Sequence, residues 1–460
     1  MVASIIVARM LGREGFGEIG IIQSTIGLFG VFAGFGLGAT ATKYIAEFKR
    51  KEPIRAGRIT DLTIMVSCIT AGIFSLACLL LAPMLAEKTL NRPDLAPLIS
   101  AAALLLFISA IGGVLQAALS GFESFRAIAR INIIQGVVAP FITVPLVWAY
   151  GVEGAVAAMT VNAAVALILF AQAVKVERKM FGVAISSLSG IFNEKNILWK
   201  FALPSVVSAL MVVPASWIAN LILVNQPGGY GELGLYTAAN QWSIFITFIP
   251  GLLSAAMLPI MSETHGSNNS DDFRKAVSLN LRITWVVALP LTVIVIALAE
   301  PAATLYGKQF AGVAPILSIL MLCVFLNVVN GPVGTALAGA GRMWTGALMN
   351  LAWAIALLIA AFMLVPRFGG LGLAMAYLVA YLLHTIWVMT YVEFKLARFA
   401  IMTQWQLMLF SMLLLILSIV ISSGGRWQYL YHTILILFSV LPIIKMIRGY
   451  AMHHNKEVMQ

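Results

Sequence analysis

The sequence predicts an all-α polytopic membrane protein, built as two six-helix lobes followed by two further helices. Three observations predict it. Of the 460 residues, 61% are hydrophobic and only 10% charged, with a mean hydropathy of +0.97, a balance suited to hydrocarbon rather than water. Apolar runs of about 20 residues, long enough to cross the bilayer as helix, recur along the whole chain. Finally, Pro83, Pro97, Gly113, Gly121, Asn132, Gly151 and Gly154 return 218 residues later as Pro301, Pro315, Gly331, Gly339, Asn350, Gly369 and Gly372. Leu and Ala coincide by chance in any apolar helical chain, so these matches of Pro, Gly and Asn carry the repeat. Upstream, FGEIG (Phe16–Gly20) returns as YGELG (Tyr230–Gly234) at an offset of 214.

Taken in order, span 1 is incomplete. Only Met1–Ala8 precede Arg9, too few residues to cross ~30 Å of hydrocarbon. Shifting span 7 back by the repeat offset places most of span 1 before Met1, which predicts a first helix largely missing, through a late start or a shortened chain. A short re-entrant start is the alternative. Apolar runs and their polar punctuation then place span 2 at Gly17–Ala41, span 3 at Asp61–Ala86, span 4 at Leu95–Leu119, span 5 at Ile131–Tyr150 and span 6 at Gly154–Val174. The second series is span 7 at Ile197–Asn225, span 8 at Leu235–Met261, span 9 at Val277–Ala299, span 10 at Val313–Ala338, span 11 at Thr345–Val365 and span 12 at Leu371–Val392. Trp405–Ser422 and Trp427–Ile447 lie outside the repeat. The organisation is therefore an N-lobe (1–174), a crossover (175–196), a C-lobe (197–394) and a C-terminal pair of helices with a tail (395–460). In and just after the crossover Lys175, Arg178, Lys179, Lys195 and Lys200 alternate with apolar residues, which suits either a surface-lying amphipathic helix or a plain linker.

Charge placement predicts the topology. With an inside N-terminus, the loops after even-numbered spans and the tail hold 22 of the 29 Lys and Arg residues and the opposite side holds 7, so both termini are expected in the cytoplasm of a cytoplasmic-membrane protein. The net charge of +11 is then topology and inner-leaflet affinity, not a nucleic-acid footprint. An even number of spans per lobe sets both lobes the same way up about a pseudo-twofold along the membrane normal, a pairing that encloses a cleft. Cys68, Cys78 and Cys323 sit in apolar runs; Cys68 and Cys78 are about 15 Å apart on a helix, too far for a disulfide. No CxxC metal site and no cofactor motif is present.

IVARMLGREGFGEIGIIQST (Ile6–Thr25), followed by GVFAGFGLGATATKYIAEFKRKEPIRAGRI (Gly30–Ile59), resembles the Wzx-type oligosaccharide flippases of the multidrug/oligosaccharidyl-lipid/polysaccharide exporter superfamily. The resemblance extends over the chain in span count and repeat. It implies translocation of undecaprenyl-diphosphate-linked oligosaccharide repeat units from the inner to the outer leaflet by alternating access, for surface polysaccharide biosynthesis. Membrane lipids, and a polysaccharide polymerase with its chain-length machinery, are the implied partners. The phrase Ile6–Gly12 is also similar to the lipid II flippases, whose charged cavity residues lie upstream on helix 1. Met1–Ile5 carry no charged side chain, so none is carried over.

A sugar diphosphate crossing a bilayer needs cations for its phosphates and a polar route, since unpaired charge in hydrocarbon is costly. Lys43, Lys200 and Arg282 stand about a turn inside apolar runs at the expected cytoplasmic ends of spans 2, 7 and 9; snorkelling to headgroups is their other reading. Gln23, Ser24 and Thr25 in span 2, with Asn240 and Gln241 in span 8, form matched polar groups suited to sugar hydroxyls, and Asn220 in span 7 joins them. Interhelical hydrogen bonding is the alternative. Gly34-x-x-x-Gly38 fits a close-packing pattern, and Pro140, Pro145, Pro204, Pro214, Pro250, Pro259 and Pro290 interrupt spans as kinks.

All 18 carboxylates fall in loops or at span edges. That disfavours the runner-up, a cation-coupled multidrug exporter of the same superfamily, which relies on buried acids. A membrane-embedded polysaccharide polymerase or ligase would need catalytic residues on a sizeable outer loop, and the outer loops are short. With no nucleophile–base arrangement, metal motif or P-loop, the chain is not expected to be an enzyme.

Overall fold

In the computed structural model, which describes residues 1–183, 194, 197, 203–266, 270–422 and 428–458, all regular structure is helical. Nine helices among the described residues are long and apolar enough to cross a membrane, and two of these are 56- and 54-residue segments long enough to cross twice. The protein is a multi-pass membrane protein. Its chain divides into two compact units, Met1–Gly234 and Leu235–Gln460.

The first unit contains α1 (Val2–Gly34), α2 (Leu37–Phe48), α3 (Pro53–Met84), α4 (Ala96–Gly121), α5 (Phe125–Met180) and α6 (Leu203–Val224), and ends within α7 (Gly229–Asn240). Residues before Gly12 form helical turns of α1 that a left-handed Gly12 (φ 67°) sets at an angle to the rest. Span 2, expected to be continuous to Ala41, breaks at Phe35 and Gly36, both left-handed at φ 41° and 64°. Hydropathy does not register such a break, because the apolar run continues through it. Gly34 meets nothing and Gly38 only Ala117 at an ordinary 3.5 Å, so no tight helix crossing rests on that glycine pair. Span 7, expected to open the second lobe, becomes α6 and packs on α1.

α3 shows which solvent shaped this unit. Ile69, Ile73, Leu76 and Leu80 are exposed, whereas Ala71, Ser75, Cys78 and Ala82 at the same helical spacing are buried. The faces are sorted by size, with bulky side chains outward and small ones inward, as expected where lipid is as apolar as leucine and tight packing drives association. Hydroxyls then tie helices together: Thr70 donates to the Ala33 carbonyl of α1 at 2.7 Å, and Thr42 of α2 to the Ala117 carbonyl of α4 at 2.9 Å.

The two copies of the GE-x-G phrase meet each other in this unit. A Cβ on Gly17 would lie 1.8 Å from the Tyr230 carbonyl oxygen, and one on Gly234 would lie 1.9 Å from that of Arg13. α1 and α7 therefore cross with backbones in contact, which only glycine permits. Beside the crossing, Arg92 bonds Glu18 at 2.6 Å and Asp94 at 2.8 Å and lies 4.9 Å from the Tyr230 ring. Asp94 foremost, against the cost of burial, and then Glu18 raise the guanidinium's pKa, so the clamp keeps its charge. The Tyr230 hydroxyl donates to the Leu90 carbonyl at 2.9 Å, and Asn225 donates to that of Thr89 at 3.0 Å.

Spans 5 and 6 run together as α5, bent at Gly151 (φ 58°, ψ −130°). In the second unit, spans 11 and 12 run together as α12 (Met343–Tyr391), bent at the repeat-related Gly369 (φ 56°, ψ −132°). Three residues on, a Cβ at Gly154 would lie 1.9 Å from the Leu146 carbonyl oxygen, and one at Gly372 would lie 2.3 Å from that of Leu364. Leu146 and Leu364 are themselves one repeat apart. Each unit thus holds the same glycine-dependent corner, down to the carbonyl it touches.

The rest of the second unit is α8 (Ser243–Gly266), α9 (Ser270–Ala297), α10 (Ala299–Tyr306), α11 (Val313–Gly339), α13 (Trp405–Ser422) and α14 (Gln428–Val458). Span 8 is not continuous: a turn at Gln241 and Trp242 separates α7 from α8. α8, α9, α11 and α12 form the bundle, and the two helices outside the repeat, α13 and α14, pack on α9. Phe273, Val277, Leu281, Val333, Met349 and Val388 are among its buried core.

Two stability predictions follow the glycines. Gly154→Ala and Gly372→Ala should each lower the thermal midpoint of purified protein, by the about 1–3 kcal/mol typical of overpacking, while Gly113→Ala, whose Cβ meets nothing, should not. Gly17→Ala should likewise cut monodisperse yield in size-exclusion chromatography, with the open Gly27→Ala as control.

Candidate functional site

Three consecutive polar residues on α1 meet three different surroundings, because successive helical positions turn by about 100°. Gln23 is exposed and lines a groove of about 390 Å³ with Ser109 of α4 and Met159 and Asn162 of α5. Among the described residues its amide donates only to the Met159 sulfur, at 3.2 Å, a weak acceptor. Asn162 donates to Thr143 at 3.2 Å, which leaves its carbonyl side available to the groove. Hydroxyl and amide groups on an otherwise apolar wall are the chemistry that hydrogen-bonds sugars.

Ser24 and Thr25 turn instead to α6. Asn220 donates to Ser24 at 2.9 Å, and the Trp217 indole donates to Thr25 at 3.1 Å. Thr25 is fully buried and donates to the Ile21 carbonyl at 2.8 Å, so its hydroxyl is committed to the α1–α6 seam. Asn220 keeps a buried carbonyl oxygen without a hydrogen bond. Of the three cations singled out from sequence, Lys43 is exposed on α2 with its ammonium 5.0 Å from the Tyr44 ring, and Lys200 lies outside the described residues.

Sequence reasoning missed Lys49, which is 2% exposed and bridges Glu123 and the Gly121 carbonyl, each at 3.0 Å. It staples the end of α2 to the α4–α5 turn. Arg178 pairs with Asp61 and Arg55 with Glu194 at the same basic end. These partners stand 74 to 139 residues apart in the chain, so no local pattern announces them.

In the second unit, Asn240 is exposed and Gln241 half-buried at the α7–α8 turn. Arg282 is exposed on α9, and among the described residues no ion-pair or hydrogen-bond partner holds it. It lines a groove of about 690 Å³ with Ser278 and Val286 of α9, Gln406, Leu407 and Phe410 of α13, and Leu441 and Lys445 of α14. The same groove shares Ser278, Arg282, Thr403 and Gln404 with a neighbouring hollow of about 310 Å³. Gln404 donates to the Ser278 hydroxyl at 3.2 Å.

One wall of the neighbouring hollow, at Phe399 and Ala400, is set by Glu393, 6% exposed, whose carboxylate accepts from the backbone amides of Phe399, Ile401 and Met402 at 2.7, 3.0 and 3.3 Å. Read as a span-edge acid, Glu393 is in fact the organiser of the left-handed turn at Phe399 (φ 66°). Buried carboxylates among the described residues are therefore committed: Glu393 to amides and Glu194 to Arg55, with the half-buried Glu18 held by Arg92. No group of three metal-ligating side chains occurs among the described residues.

With this geometry in view, likeness to known proteins is informative. The chain is 24% identical over 388 residues to the EPS I polysaccharide export inner membrane protein EpsE of Ralstonia nicotianae, covering 81% of this chain and 85% of that one. It is 23% identical over 392 residues to the lipid III flippase of Escherichia coli, covering 83% and 92%. In fold it is similar to an inward-facing multidrug resistance MATE family transporter of the MOP superfamily, at 16% identity and TM-score 0.71 over 86% of this chain and 93% of that one. It is also similar to the lipid II flippase MurJ in an inward closed conformation, at 13% identity and TM-score 0.65 over 98% of both. Residues 6–315 match the family described as polysaccharide biosynthesis protein, and the chain belongs to that family.

Proposed function

We propose that this protein flips undecaprenyl-diphosphate-linked oligosaccharide repeat units from the cytoplasmic to the outer leaflet by alternating access, for assembly of a surface polysaccharide. Its termini lie in the cytoplasm, where the basic loops face, and a polymerase with chain-length machinery receives the flipped unit. Arg282 carries the reading: a guanidinium inside an apolar helix, exposed to a groove and without a protein partner among the described residues. Such a charge is tolerated only where water or an anion meets it. In the second unit Arg282 receives the diphosphate and Asn240 and Gln241 offer amides; in the first, Gln23 with Ser109 and Asn162 hydrogen-bonds sugar hydroxyls and Lys43 supplies a cation. Thr25 and Asn220 hold α1 against α6, and Lys200 adds a basic group near the crossover.

A cation-coupled drug exporter is the second reading, favoured by the likeness to the multidrug transporter fold. Against it stands the commitment of the buried acids, which leaves none of them obviously available to exchange a proton or sodium ion. Proteoliposomes loaded with a fluorescent undecaprenyl-diphosphate oligosaccharide test the choice, by the rate at which the sugar reaches an outside quencher. Wild type should flip it; at unchanged folding Arg282→Gln should slow it by about tenfold or more, the worth of one hydrogen bond to a charged group, and Gln23→Ala by about fivefold, the worth of one neutral hydrogen bond. Uptake of an organic cation without movement of the lipid-linked sugar would reverse the order of the two readings.

A further inference from the structure

The groove against α9 has a construction that a snorkelling arginine does not need. Arg282 and Lys445 come from different helices, both are exposed, and neither has an ion-pair partner among the described residues. The nearby Arg274 and Lys275 are already paired with Asp271 and Asp272 of their own helix at 3.2 and 3.3 Å. No carboxylate lines the groove among the described residues. It therefore presents two uncompensated positive charges beside two neutral hydrogen-bonding groups, Ser278 and Gln404. That set suits a phosphate.

Polarity also changes along the groove in a consistent direction. One turn from Arg282 on α9 lies Val286, one turn from Gln406 on α13 lies Phe410, and one turn from Lys445 on α14 lies Leu441. On all three helices a polar group at the basic end gives way to an apolar one deeper in, although α14 presents the pair in the opposite chain direction. A free anion has no use for the apolar half. A lipid has use for both, with its headgroup at the cations and its chain along Phe410 and Leu441. A volume of about 690 Å³ is ordinary for a small-molecule site, and the Glu393 carboxylate fixes the turn that leads directly into Thr403 and Gln404 of its lining.

We propose that the α9–α13–α14 groove binds the phosphate headgroup of a lipid from the adjoining leaflet, through Arg282 and Lys445. Two lipids share that chemistry, the diphosphate carrier of the oligosaccharide and an anionic phospholipid. The first source rests on the flippase reading and the second does not. α13 and α14, which lie outside the repeat, thereby acquire a purpose: they supply the second cation and the apolar wall.

The test uses the full chain in phosphatidylcholine nanodiscs, titrated separately with undecaprenyl diphosphate and with phosphatidylglycerol, with occupancy read by native mass spectrometry. R282Q/K445Q should weaken at least one of the two about thirty-fold, or about 2 kcal/mol for two cations near a charged lipid surface. R282K/K445R should bind as wild type does, and so should R274Q/K275Q. If the double variant fails to fold, K445Q alone should weaken binding about fivefold, and wild-type binding should fall as salt rises. Weakening of the diphosphate alone identifies the carrier, and of phosphatidylglycerol alone the phospholipid. Equal binding of both lipids by wild type and the neutralised variants, or no binding by wild type, overturns the proposal. Translocation by wild type that survives that result leaves the flippase reading intact, whereas lost translocation with intact phosphatidylglycerol binding does the reverse.

Discussion

A charge placed in hydrocarbon without a partner costs several kcal/mol, and the arrangement of this protein follows from how it meets that cost. Most of its deep or half-buried charges are paired off. Lys49 is held by Glu123 and a carbonyl, Arg92 by Glu18 and Asp94, Arg178 by Asp61, and Glu393 by three amides. Against that background a cation left without a protein partner is informative. Among the described residues Arg282 and Lys445 are such cations, and they meet in one groove. Neutral polar groups obey the same rule: Thr25 and Ser24 are spent on α6, whereas among the described residues Gln23 has only a thioether.

The frame that holds these groups depends on glycine wherever backbones touch. Gly17 and Gly234 let α1 and α7 cross at carbonyl contact, and the corners at Gly151–Gly154 and Gly369–Gly372 turn one long helix back on itself in each unit. Duplication explains why the corners agree to within a few degrees. It also explains why the helices outside the repeat differ in kind. α13 and α14 have no counterpart in the first unit, so the groove they build with α9 has none either.

Much of this was legible in the sequence. Size-independent apolar runs gave the fold class, and Trp405–Ser422 was placed to the residue. The glycine corners are visible in the sequence as repeat positions. What stayed hidden has physical reasons. The breaks at Phe35–Gly36 and Gln241–Trp242 interrupt hydrogen bonding but not hydropathy. Lys43 and Lys49 look alike locally, and only a partner 74 residues away makes the second a structural staple. Gln23 and Thr25 differ in fate because two residues of helix turn them to opposite neighbours. Lys445 lies near the end of the last apolar run, and its meeting with Arg282 depends on how α14 packs on α9.

In the proposed function, polar groups left unspent by packing are the ones that touch a sugar-bearing lipid. A photoreactive undecaprenyl-diphosphate oligosaccharide, with diazirines on the sugar and on the prenyl chain, tests this in membranes by mass-spectrometric mapping of adducts. The account predicts sugar adducts in peptides containing Gln23 and Asn162, and prenyl adducts in peptides containing Phe410 and Leu441. Adducts confined to the outward faces of α3 and α5, around Ile73 and Phe141, would show a lipid that merely bathes the protein and would contradict it.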